Sequence, residues 1–162
     1  MLTDRPLPCV PYHAAKRMDS AAVEDFIREA GERAQEMAAD WIKMVAAGLR
    51  DCRLVGIGMV LGSGRPDFTL RQALSTHAST HNAEGWLFRE ALMRASRECG
   101  LPVFGAVESG AYSAAASVAG LPLGRVMDHV EGLRRVAGPP WGLDQKLATA
   151  AAWLSLARAD QA

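Results

Sequence analysis

His77, His81 and Glu84 stand at i, i+4 and i+7. On an α-helix that spacing projects all three side chains from one side on successive turns. Two imidazoles one turn apart are a recognised geometry for a divalent ion, and a carboxylate a turn later supplies a third donor. The pattern predicts a metal site with His77, His81 and Glu84 as ligands or acid/base groups, and Mg²⁺, Mn²⁺ or Zn²⁺ as the ion. The general-base Glu that HExxH proteases carry between their histidines is missing, so their mechanism is not expected. The other reading of the same residues is a buried polar network, with each histidine bonded to a carbonyl or carboxylate.

The helix that must carry them has an apolar stripe, Leu70, Ala73 and Leu74, which resumes at Phe88, Ala91, Leu92 and Ala95. The histidines and Glu84 interrupt it, and polar groups at core positions cost free energy unless partnered. Gly85 beside Glu84 is unfavourable in a helix interior and predicts close approach by another backbone or a ligand. Ser75, Thr76, Ser79 and Thr80 surround the histidines, but no GxSxG elbow exists. Hydroxyls in such positions more often bond local carbonyls.

Three further residues could complete a site. Glu108 follows a predicted strand, and open α/β sheets place ligands at the carboxyl ends of their strands; a solvent-facing Glu is the plainer alternative. Asp144 and Lys146 open a helix behind the rigid turn Gly138-Pro139-Pro140-Trp141-Gly142, where two prolines exclude helix. Asp144 can instead simply cap that helix. Gly62-Ser63-Gly64 lacks the GxxxxGK[ST] pattern of a phosphate loop, and Arg65 beside it offers a weak anion contact.

Composition narrows the classes. With 162 residues, 49% of them hydrophobic and 22% charged, the chain has the make-up of a folded globular domain rather than a disordered one. Eighteen basic side chains balance eighteen acidic ones, so no net field draws it to nucleic acid or to an anionic membrane. No apolar run approaches the about 18 residues of a membrane span. Cys9, Cys52 and Cys99 show no paired spacing, which predicts three free thiols. Together with an N-terminus lacking the apolar run of a signal peptide, this predicts a cytoplasmic protein.

The elements follow from periodicity. Residues 1–18 form an extended arm with a short strand at 9–12, and residues 19–162 a single α/β domain. Asp19 or Ser20 caps a long amphipathic helix to about Leu49, with the stripe Val23, Phe26, Ile27, Ala30, Ala34, Met37, Trp41, Met44 and Val45. Residues 54–61 and 101–107 are short apolar runs that predict buried strands. Between them one helix is expected over 70–98, closed by Gly100. Helices over 111–119, 123–136 and 143–159 complete the chain. The fold class expected is α/β and helix-dominated, with a small sheet of two or three strands covered by the long N-terminal helix and several others.

Residues 75–89 and 138–146 carry a resemblance. A serine and histidine ahead of His-x-Ala-Glu-Gly and Phe-Arg, then Gly-Pro-Pro-Trp and Asp-Gln-Lys, resemble an uncharacterised bacterial family over about half the chain. More loosely, the order helix, strand, helices and Asp-led alanine-rich helix resembles the later half of RNase H-like nucleases of the resolvase kind. Such enzymes hold Mg²⁺ with clustered carboxylates, one of them an Asp in the first strand. Residues 54–61 contain no acidic residue, and Glu84, Glu108 and Asp144 are the matching carboxylates here. The resemblance implies a metal-assisted hydrolase of phosphoester or nucleic-acid substrates, with Glu108, Asp144 and Lys146 beside the His/Glu cluster. The competing expectation is a non-catalytic homodimeric interaction protein, paired through its long helix, whose cluster is a buried polar network.

Overall fold

The structure, a computed structural model, describes residues 7–49 and 51–159. It is a helix-dominated α/β fold with a two-stranded parallel sheet, and its residues fall into two compact units. One comprises Met1–Asp51 with Arg65–Cys99, the other Cys52–Gly64 with Gly100–Ala162. Residues 1–6 of the expected arm lie outside the described residues.

Among the described residues, the regular elements of the first unit are all helices. Helix α1 spans Pro11–Ala15, where the sequence predicted a strand. Pro11 occupies the start of the helix, where its fixed φ and missing N–H cost nothing, and both Pro11 and Ala15 are buried. Helix α2, Ser20–Gly48, follows Asp19 as its N-cap. Its buried row is Val23, Ala30, Ala34, Ala39 and Ile42, whereas Met37, Trp41, Met44 and Val45 are exposed.

The single helix expected over 70–98 is broken in two. Helix α3, Leu70–Ser75, and helix α4, His77–Glu98, meet at Thr76, whose backbone is extended (φ −130°, ψ 162°). The cause is local: two capping boxes follow in tandem, Thr69 with Gln72 and Thr76 with Ser79. Each hydroxyl satisfies an amide that an uninterrupted helix would bond to a carbonyl one turn back. Thr80, fully buried, seals the corner by donating to the carbonyls of Ala73 (2.9 Å) and Thr76 (2.6 Å). Helix α2 packs along α4, and Ala34, Leu87 and Ala91 form the core with Leu7, Tyr12, Ile27 and Phe88 against them.

In the second unit, strand β1 (Ile57–Val60) pairs in parallel with β2 (Val103–Ala106), Ile57 opposite Val103 and Val60 opposite Ala106. A 3-10 turn at Glu108–Gly110 leads into α5 (Ala111–Ala119), α6 (Leu123–Gly132), α7 (Arg134–Ala137) and α8 (Leu143–Ala159). The element on this sheet is α8. It approaches so closely that a Cβ on Gly58 would lie 1.9 Å from the Ala151 carbonyl oxygen. Small residues permit that distance, and the core here is correspondingly alanine-rich: Ala106, Ala111, Ala115, Ala116 and Ala150 pack with Val126, Val130, Leu147 and Leu154. Among the described residues no helix is long and apolar enough to cross a membrane, and Cys9, Cys52 and Cys99 are free.

Candidate metal centre

The break at Thr76 decides how the histidines are presented. It makes His77 the first residue of α4, with His81 one turn on. Their Nε2 atoms are 3.0 Å apart and their ring centroids 4.2 Å. Two bonds of about 2.0–2.1 Å to one ion, meeting near a right angle, give that nitrogen separation, and a tetrahedral ion needs only about 3.3 Å.

The third imidazole comes from outside the spacing that identified these two. His13, on α1, brings its ring centroid to 4.7 Å from His81 and 5.6 Å from His77. One nitrogen from each of His13, His77 and His81 lies within 4.8 Å of the other two, a grouping that can hold a metal ion. His13 is half-buried; His77 and His81 are exposed, so any ion here faces solvent on one side.

Glu84, placed among the ligands by its spacing, is engaged elsewhere. Its carboxylate is buried, with one oxygen accepting from the Tyr12 backbone N–H (3.3 Å) and the other 3.4 Å from His13 Nδ1. A carboxylate can only accept, so Nδ1 is the donor in this contact, and in the neutral ring Nε2 is then the nitrogen with a lone pair to offer. Metal-binding histidines are commonly oriented this way, by a carboxylate on the nitrogen that does not ligate. The same contact ties α1 to α4 across 71 positions of sequence.

The cluster has a distinct charge pattern. Residues 7–18 and 70–83, which supply α1, α3 and the start of α4, include Lys16, Arg17 and Arg71 but no Asp or Glu. Lys16 Nζ lies 3.5 Å from the Thr76 carbonyl oxygen, beside His77. On the inner side, burial raises the Tyr12 phenol above its usual 10.0, reinforced by the negative charges of Glu84 and Glu90. Gly85 accommodates a side chain rather than a ligand: a Cβ there would sit 2.6 Å from Arg89 Nη1.

Glu108, Asp144 and Lys146 belong to the second unit. Glu108 begins the 3-10 turn, exposed, and its N–H donates to the Gly62 carbonyl (2.8 Å). Asp144 is exposed in the first turn of α8, where a carboxylate complements the positive helix end. Gln145 rather than Asp144 reaches back, accepting from the Gly142 N–H at 2.9 Å. Lys146 forms an ion pair with Glu131 at 2.6 Å. His129, the remaining histidine, lies against Trp153 with ring centroids 4.8 Å apart.

The signal for His13 was present in the sequence as a count. The chain has four histidines, and three of them form this cluster. The chain matches no protein-family model, no curated protein and no solved structure.

Proposed function

We propose that this protein binds one divalent transition metal through His13, His77 and His81, and that the centre supports metal-assisted hydrolysis. The observation that carries the reading is the convergence of three imidazole nitrogens within 4.8 Å, from two helices far apart in sequence. The donor set favours Zn²⁺ or a similar borderline ion over Mg²⁺, which prefers oxygen ligands. Three protein ligands with solvent on the open side is the arrangement of catalytic rather than structural zinc sites, in which the ion polarises a bound water. Glu84, committed to His13 and the Tyr12 amide, orients a ligand in this reading and is not the acid/base group. A phosphoester as substrate is the choice the resemblance to RNase H-like nucleases adds.

Calorimetric titration of chelator-stripped protein with Zn²⁺ tests it, followed by an assay of the loaded protein on an activated phosphoester. One ion per chain in wild type, and binding lost in His13→Ala and His81→Ala, is the expected result. A wild type that takes up no ion removes the proposal. Stoichiometric binding without turnover removes hydrolysis and leaves a binding protein.

A homodimeric interaction protein is the second reading, favoured by the exposed row Met37, Trp41, Met44 and Val45 on α2. Contiguous apolar surface of this kind usually marks association. A second copy of the same helix is the matching occupant, because the flanking pairs Arg33–Glu36 and Lys43–Asp40 neutralise their own charges. Sedimentation of wild type and Trp41→Lys distinguishes the cases. A dimer that the substitution dissociates supports the reading, and a monomeric wild type at micromolar concentration rejects it.

A further inference from the structure

We infer that the exogenous ligand of this centre is a phosphate-type oxyanion, bound to the metal and to Lys16 together. The inference rests on the metal reading above and adds the chemical class of what completes the coordination. Three neutral imidazoles bring a divalent ion no charge of their own, unlike sites in which carboxylates ligate, and Glu84 offsets that charge only through His13. The nearest carboxylate, Glu84, is buried and spent on His13 and the Tyr12 amide.

The chain segments that carry the three histidines are basic, and the carboxylate that follows them, Glu84, is buried against His13. In a chain whose total charge is balanced, the segments 7–18 and 70–83 hold three cations and no carboxylate. Lys16 stands one turn beyond His13 on the same side of the chain. Its ammonium reaches the Thr76 carbonyl (3.5 Å), immediately before His77. Helix α4 also begins at His77 with no acidic residue in its first turn, so its positive end adds to the field at the imidazoles rather than being neutralised. A neutral ligand gains nothing from this surround. A tetrahedral oxyanion can place one oxygen on the ion and a second against the Lys16 ammonium, which binds phosphate as a point charge.

The test uses the full chain loaded with Co²⁺, a spectroscopic stand-in for zinc, at constant ionic strength set with weakly coordinating perchlorate. Inorganic phosphate and phenyl phosphate are the probes. The expected result is a saturable change in the visible cobalt spectrum on adding phosphate, with about fivefold weaker phosphate binding in Lys16→Gln and unchanged cobalt affinity. A response to both probes assigns the site to a phosphate ester, and a response to inorganic phosphate alone assigns it to the free anion. A cobalt spectrum indifferent to both probes overturns this inference while leaving the metal centre standing, as does Lys16→Gln binding phosphate as tightly as wild type. Failure of wild type to take up cobalt overturns the metal reading itself.

Discussion

The buried carboxylate of Glu84 meets Nδ1 of His13 at 3.4 Å while its other oxygen accepts the Tyr12 amide at 3.3 Å. One side chain of α4 thus fixes both the position of α1 and the tautomer of its histidine. That double role gives Glu84 substitutions a signature of their own. Glu84→Gln retains the size of the side chain and removes its charge, and should weaken metal binding by about 10–100-fold, the usual effect of removing such an orienting partner. Glu84→Ala should in addition lose about 1 kcal/mol of stability by leaving the part-buried Tyr12 amide without its partner. Competition with a chromogenic chelator measures the first effect and urea denaturation the second. Metal affinity unchanged in Glu84→Gln would show that the carboxylate serves the fold alone.

Metal binding should also hold α1 in place. That helix has only five residues, too few to persist without tertiary contacts, and an ion shared by His13, His77 and His81 adds a cross-link to them. Lys16 and Arg17 just beyond it are exposed and are sites for trypsin. At free metal about 100 times the dissociation constant, the native state gains about 2.7 kcal/mol over forms that cannot bind. Cleavage at Lys16 and Arg17 should slow accordingly on adding zinc, and His81→Ala should abolish the protection. Equal cleavage with and without the ion would mean that α1 is not part of the centre.

Tyr12 supplies a pH dependence in the metal-free protein. Burial, then the charges of Glu84 and Glu90, raise its phenol above 10.0 in the folded state. A group raised on folding contributes stability that is complete below its unfolded pKa and is lost as pH climbs towards the folded value. Stability should therefore not vary with pH on account of Tyr12 up to about pH 10. Above that it should decline as the unfolded chain releases a proton the folded one retains. Tyr12→Phe should remove this part of the alkaline decline. Denaturation midpoints taken stepwise through the alkaline range check it.

Two glycines should respond in opposite directions. Gly58→Ala puts a methyl into the Ala151 backbone, where neither strand nor helix can yield cheaply. A loss of about 2 kcal/mol or more is expected. Gly31→Ala, inside α2 with nothing within 4 Å of the new methyl, should gain up to about 1 kcal/mol from helix propensity. Thermal unfolding of the two variants provides the comparison.

Which of these features the sequence disclosed depended on how local their causes are. The start of α8 at Leu143 was legible because Pro139, Pro140 and Gly142 stop any helix ahead of it. The row that α2 presents outward was read as one stripe with its buried row, since only packing separates Met37 and Trp41 from Ala34 and Ile42. The break at Thr76 was hidden because Thr69-x-x-Gln and Thr76-x-x-Ser lie within a helical period that His77, His81 and Glu84 keep in step, which a single helix satisfies equally well. His77 and His81 were found because their relation is one helical turn. His13 was not, because its place beside them comes from the burial of Pro11 and Ala15 and from Glu84, none of which leaves a spacing to read.

The central claim is that three imidazoles, one from α1 and two from α4, share one ion. X-ray absorption at the zinc edge on stoichiometrically loaded protein addresses it directly, because multiple scattering from imidazole rings counts histidine ligands. The predicted result is three imidazole nitrogens at about 2.0–2.1 Å with a further oxygen donor, falling to two imidazoles in His13→Ala. A wild-type spectrum with two or fewer imidazoles per zinc, or one unaltered by His13→Ala, would contradict the account.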